Sequence, residues 1–244
     1  MNGIDCFVEG FRLVRKPGLR RFVIIPTAIN IIVLVAMIVF GGSLLNDWID
    51  SAMAMLPQWL SFLSWLIWLL TALVGLFALF YVFTIVANLI GSPFNAVLSI
   101  KVEELIVGKA PAPASVSLIL PRALWREISK ISYLLPRLAG LVLLSIIPGI
   151  NAAAPVLWIL FSAWMMAIQY TDYAADNNGI SFSELRKRLV RVPLQSVLFG
   201  LPTYLLLAIP LVNLVLMPVC IAGGTVFWVN NLRDSVPDSP VTEG

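Results

Sequence analysis

The 244-residue chain contains no histidine, only two cysteines and few charges, and each shortage closes a class of function. Without histidine, no Ser-His-Asp triad, HExxH zinc site or histidine proton relay can form. Cys6 and Cys220 are too few and too far apart for a metal knuckle. Neither G-x-x-x-x-G-K-[ST] nor G-x-G-x-x-G occurs, so nothing points to a nucleotide. The expectation is a protein that is not an enzyme, with no metal, no cofactor and no nucleic-acid partner. Charge is the other scarcity: 12% of residues are charged against 60% hydrophobic. Phe22–Leu45, Ser51–Ile100, Leu138–Thr171 and Val192–Leu232 carry no charged side chain at all. A charge at the bilayer centre costs about 2.5–3.5 kcal/mol on insertion scales, so such runs read as membrane segments.

What is present is organised around those runs. Asp5, Glu9, Arg12 and Lys16 recur at helical spacing opposite Ile4, Phe7, Val8, Phe11 and Val14, which predicts an interfacial helix over residues 1–16. Pro17-Gly18 ends it and starts a first long helix, residues 18–45. A cleaved signal fits this run poorly. It is 24 residues long against about 7–15 for a signal core, although Ala52-Met53-Ala54 resembles a cleavage box. Asn46–Pro57 reads as a short acidic connection holding Asp47 and Asp50. A second long helix is expected over residues 59–107, its membrane part ending near Ile90. Gly91-Ser92-Pro93 punctuates it, and an amphipathic stretch then carries Lys101, Glu103 and Glu104. Lys109–Ser115 is a stiff Pro/Ala loop. Arg122, Arg126 and Lys130 fall four residues apart and predict a cationic helix face against lipid phosphates, the sharper alternative being a stripe that attracts anions.

The last two apolar runs are each interrupted by Pro-x-x-Asn and a further proline: Pro148, Asn151, Pro155 and Pro210, Asn213, Pro218. This repeat leaves arms of about 11–16 residues, roughly 16–24 Å if helical, against a hydrocarbon core of about 30 Å. Two re-entrant hairpins, residues 138–170 and 192–232, fit better than four crossings. Residues 101–137, 171–191 and the N-terminal segment hold 6, 4 and 5 Lys/Arg, whereas 46–58 hold none. The positive-inside rule puts all three basic segments on the cytoplasmic side, which two crossings and two hairpins satisfy; six full spans also satisfy it, but only with unusually short helices. Between the hairpins, Ser181 and Glu184 form a capping box that opens a basic helix, read as a solvated face. The fold class is therefore an all-α integral membrane protein: two long transmembrane helices, two partly penetrating hairpins and interfacial helices. They form one membrane domain over 1–234, with a polar tail over 235–244.

"KPGLRRFVIIPTAIN", "NLIGSPFNAVLSIKVEE", "PVLWILFSAWMMAIQYTDYAADN" and "IPLVNLVLMPVCIAGGTVFWV", in this order, resemble the CysZ family of bacterial sulfate transporters. The resemblance implies a multi-pass protein of the bacterial inner membrane that supplies sulfate to cysteine biosynthesis. It also implies a homo-oligomer surrounded by lipid. The family's sulfate-binding motif falls on Gly18, Leu19, Arg20 and Arg21. Ala174 and Asn178 depart from the family's pattern, which often has a proline and a histidine there.

Read from residues alone, the Arg20–Arg21 cluster is either a positive-inside anchor or an anion site. A helix start offers unpaired N–H groups to an anion, here from Gly18, Leu19 and Arg20, and arginine adds a planar grip. Asn30, Asn88, Asn151 and Asn213 either line a wet path or tie helices together. Lys101, Glu103 and Glu104 are candidates for a pore mouth. With no acid inside the uncharged runs, the expectation is passive, channel-like flux. The competing expectations are a non-transporting assembly or regulatory protein and a transporter of sulfite or thiosulfate.

Overall fold

The computed structural model describes residues 1–55, 57–109, 111, 116–207 and 209–233, without the side chains of 59, 60, 85, 88, 89, 92, 116–124 and 210–215. Among the described residues eight α-helices follow in order: α1 Gly3–Val14, α2 Arg21–Ala54, α3 Ser64–Val107, α4 Val116–Ile146, α5 Ala154–Asn177, α6 Phe182–Arg191, α7 Pro193–Leu207 and α8 Pro210–Phe227. Short 3-10 turns cover Gln58–Leu63 and Asn151–Ala153, and a π-helical turn, Trp228–Leu232, follows α8. No strand occurs among the described residues. Arg21–Ala54, Ser61–Thr84, Trp125–Ile146 and Asn151–Asn177 are long and apolar enough to cross a membrane. The α6–α7 pair, bent by 106°, makes a fifth candidate. This is an all-α, multi-pass membrane protein.

The chain forms two compact units. The first, Ile24–Phe94, is a hairpin of the long arms of α2 and α3. Missing side chains let the arms approach: a Cβ on Gly41 would lie 2.6 Å from Leu79 Cδ2, and Gly75 leaves room for Leu45. Ile38, Phe40, Phe77 and Phe80 stand exposed, which suits hydrocarbon and not water. Helix α2 continues to Ala54, so Asp47 and Asp50 ride on its last turns instead of in a loop. Helix α3 likewise runs through Gly91-Ser92-Pro93 without a break. One absent proline N–H is a small loss within 44 residues of helix, and neighbouring elements can re-satisfy the freed carbonyl.

The second unit, Met1–Val23 with Asn95–Gly244, holds the core. Helices α1, α5, α7 and α8 pack there around Phe199, Phe227, Ile221 and Trp228, with Phe199 and Phe227 stacked at 5.4 Å. Helix α1 is capped by Asn2, whose side chain accepts from the Ile4 N–H at 3.2 Å. It buries Gly3, Cys6, Phe7, Gly10, Leu13 and Val14, whereas Ile4 and Val8 of the expected apolar side are exposed. Small residues decide the face, since a Cβ on Gly10 would meet Gly223 N at 2.5 Å. Burial pushes the Cys6 thiol up to about 11, which leaves it protonated and unreactive. The end of α3 joins this unit through a Ser99–Thr225 hydroxyl bond of 2.9 Å and an Asn177 amide donating to the Ala96 carbonyl at 3.3 Å.

The first hairpin is longer than its uncharged run. Helix α4 has 31 residues and α5 has 24, about 46 and 36 Å at 1.5 Å per residue. Charges did not end these helices because they neutralise one another. Arg126 of the expected lipid-facing stripe is 6% exposed and Lys130 is 8% exposed. Arg126 forks onto Asp172 and also meets Asp176 at 3.1 Å, while Lys130 meets Asp172 at 2.9 Å and Glu127 at 2.7 Å. Arg126 and Lys130 therefore face α5 and not lipid. Arg122 lies outside the described side chains. In the second hairpin α7 has 15 residues, α8 begins at Pro210, and Asn213 falls in its first turn instead of at the tip.

Candidate functional site

Between α1 and α2 the chain turns over residues 15–20. Gly18 takes φ +93°, a conformation that costs an L side chain energy and that glycine adopts freely. Nothing lies within 4 Å of where a Gly18 Cβ would be, so the turn is open on that side. Leu19 is buried in the same apolar cluster as Leu98 and Val102, and it pins the turn to the core. Arg20 and Arg21, the two residues that follow this anchor, are exposed, with the Arg21 guanidinium 5.0 Å from the Phe22 ring.

The backbone donors differ from expectation. The Leu19 and Arg20 N–H groups both donate to the Lys16 carbonyl, at 3.1 and 3.3 Å. Two of the three amides expected to face an anion are therefore spent closing the turn. The exposed guanidinium groups of Arg20 and Arg21 are the remaining cationic donors of the turn, and Gly18 sets its shape. Such a site is a positively charged, solvent-open turn that can hold a compact oxyanion by charge-assisted hydrogen bonds.

The expected pore-mouth residues split into two groups. Lys101 pairs with Glu104 at 2.6 Å on a half-exposed surface. Glu103, one residue away, is 2% exposed and accepts from the Asn178 amide at 2.8 Å. Burial pushes its carboxyl above the ordinary range, against the Asn178 hydrogen bond and the nearby Arg233 charge. Position 178, one of the two that depart from the family's pattern, thus meets a buried acid. Asn30 is buried one turn beyond Pro26, and its Oδ1 and the Thr27 hydroxyl find no protein partner among the described residues. Asn151 is exposed at the hairpin tip. The side chains of Asn88 and Asn213 lie outside the described residues.

Sequence reasoning missed the Arg126–Lys130–Asp172–Asp176 network and the burial of Arg188. A signal was present: Arg126 and Lys130 are four apart, as are Asp172 and Asp176, which is the spacing of matching helix faces. Arg188, expected on a solvated face, is buried, donates to the Leu232 carbonyl at 3.2 Å and sits 5.3 Å from the Trp228 ring. Ser181 does cap α6, its Oγ accepting from the Glu184 N–H at 3.2 Å.

A sequence profile described as "Sulfate transporter CysZ/Etoposide-induced protein 2.4" matches residues 6–218. The chain belongs to this CysZ family. A protein of Pseudomonas fluorescens (strain SBW25) named "Sulfate transporter CysZ" is 49% identical over 233 residues, covering 94% of this chain and 91% of its own. Proteins of the same name from P. fluorescens (strain Pf0-1) and Pectobacterium atrosepticum are 44% and 42% identical, over 94% and 96% of this chain and 93% and 86% of theirs. The stretch that matches the CysZ profile includes the Gly18–Arg21 turn, Asn30, the Lys101–Glu104 segment and Asn151.

Proposed function

We propose that the protein conducts sulfate across the bacterial inner membrane, and that this sulfate feeds cysteine biosynthesis. The carrying observation is membership of the CysZ family over most of the chain, with relatives named sulfate transporters. The Gly18–Leu19–Arg20–Arg21 turn is its sulfate-binding element. An open glycine, a buried leucine anchor and two exposed arginines support that role. Its role is transport and not catalysis.

Flux is passive. The carboxylates of α5 are held in ion pairs with Arg126 and Lys130, which suits a structural clamp and not a proton relay. Asn30 lines the path, since the Oδ1 of its buried amide is left as an acceptor for water. Asn88, Asn151, Asn213, Lys101, Glu103 and Glu104 are the further lining candidates. Helix α7, about 22 Å long at 1.5 Å per residue, is a partly penetrating arm, whereas α4 and α5 are long enough to cross. The exposed apolar faces of α2 and α3 meet lipid and further copies of the chain.

Calorimetric titration of sulfate into detergent-purified protein tests the site. Arg20→Ala and Arg21→Ala are each expected to weaken binding by about tenfold, from the loss of one charge-assisted contact. Arg12→Ala, which removes an exposed cation of α1, should leave it unchanged. Equal binding in all three variants would remove the site. Sulfite and thiosulfate titrated in parallel report the selectivity.

A further inference from the structure

A second cationic recess lies away from the Gly18–Arg21 turn. A cavity of about 550 Å³ opens between α4 and the α5–α6 connection, lined by Trp125, Tyr133, Arg137, Phe182, Ser183 and Arg186 among others. Arg126 also borders it, but Asp172 and Asp176 already answer its charge. No carboxylate lines the cavity among the described residues.

Two arginines there share one ring. The Arg137 guanidinium lies 3.6 Å from the Tyr133 ring centre and the Arg186 guanidinium 4.7 Å from the same centre, with Phe182 5.1 Å from Arg186. The two cations are thus within roughly 8 Å of each other, where their charges repel without a local counter-ion. The Arg186 Nε is buried and has no protein partner among the described residues. Arg137 Nη1 donates to the Tyr133 carbonyl at 2.9 Å; ring faces attract both cations and leave their remaining in-plane N–H groups for a bidentate ligand.

The start of α6 adds donors. Ser181 takes the Glu184 N–H through its hydroxyl and the Leu185 N–H through its carbonyl, at 3.2 and 3.0 Å. The Phe182 and Ser183 N–H groups of that first turn stay outside the cap. Gly179 (φ +73°) shapes the approach, with Ile180 N–H bonded back to the Ala175 carbonyl at 2.9 Å. The cavity falls within the few-hundred-Å³ range of sites that hold an organic ligand, and its walls are aromatic as well as cationic.

We propose that this cavity is a second anion site, one that takes a phosphate ester. The oxyanion sits on Arg137, Arg186 and the first turn of α6, and the organic part lies over Tyr133, Phe182 and Trp125. A phospholipid headgroup and a soluble phosphate ester share this chemistry.

The test uses the full chain in detergent and two probes, phosphatidylglycerol in mixed micelles and soluble sn-glycerol 3-phosphate, with bound adducts read by native mass spectrometry. Retention of the lipid alone assigns a headgroup site, and retention of the soluble ester assigns a cytoplasmic metabolite. In either case R137Q/R186Q should lower affinity at least about tenfold, while R20Q/R21Q keeps it. If R137Q/R186Q fails to elute as a monodisperse species, R137Q alone is read, with a loss of about threefold or more expected. Binding of neither probe, or equal binding by wild type and the cavity variant, would overturn the proposal.

Discussion

Asp172→Asn tests whether the buried ion network is the clamp between α4 and α5. The carboxylate is 5% exposed and receives Arg126 through two nitrogens and Lys130 through one. Removing one partner of a buried pair costs about 3–5 kcal/mol, because the other charge is left uncompensated. The lower end applies here. Arg126 keeps the Ile180 carbonyl at 2.6 Å and Asp176 at 3.1 Å, and Lys130 keeps Glu127 at 2.7 Å. A loss of about 3 kcal/mol corresponds to a fall of about 6–12 °C in midpoint for a chain of this size. Apparent midpoints in detergent, scanned at one fixed heating rate, measure it. Arg12→Ala, whose pairing with Glu9 is largely exposed, should move the midpoint by little, since such pairs contribute at most about 1 kcal/mol. Arg126→Gln with Asp172→Asn should cost at least about 1 kcal/mol less than the two singles added together. A shift under about 2 °C for Asp172→Asn, or strict additivity in the cycle, would refute the clamp.

Gly18 should be replaceable only by residues that tolerate positive φ. Asn there is expected to keep sulfate binding near wild type, and Ala to lose about 1 kcal/mol of it, as read by calorimetry. Equal affinity for Gly, Asn and Ala would separate the backbone shape from the function. Glu103→Gln tests the buried carboxyl through pH. Its folded-state value lies above the ordinary 4.5, so the native state binds the proton more tightly and stability falls as pH rises from 4.5 through the raised value. The Gln variant should therefore melt higher than wild type at pH 7.5 and equal to it near pH 4. A constant gap at both pH values would assign the effect to packing.

Much of the architecture could be read from patterns that are local in sequence. The uncharged runs located the long helices, Pro17-Gly18 located the first turn, and the Ser181–Glu184 box located the start of α6. Pro148 and Pro210 marked both hairpin breaks: the first spans residues 147–153, and α8 starts at Pro210 itself. What escaped depends on which helix faces which. Arg126 and Lys130 look like a lipid-facing stripe until Asp172 and Asp176, over 40 residues away, arrive opposite them. Gly10 and Gly223 set the packed face of α1, and a hydrophobic pattern cannot weigh a residue with no side chain. In the candidate site the Gly-Leu-Arg-Arg residues were legible, but the use of the Leu19 and Arg20 amides by Lys16 was not. A turn's own hydrogen bonds are fixed by its dihedral angles, which glycine leaves open in the sequence.

Radiolabelled sulfate flux into liposomes containing the purified protein tests the central claim most directly. Uptake should follow the sulfate gradient with no proton or sodium gradient imposed, and R20Q/R21Q should slow it by about tenfold or more at low sulfate. Uptake that stops when those ion gradients are collapsed would contradict passive conduction, and the absence of any protein-dependent flux would contradict sulfate transport itself.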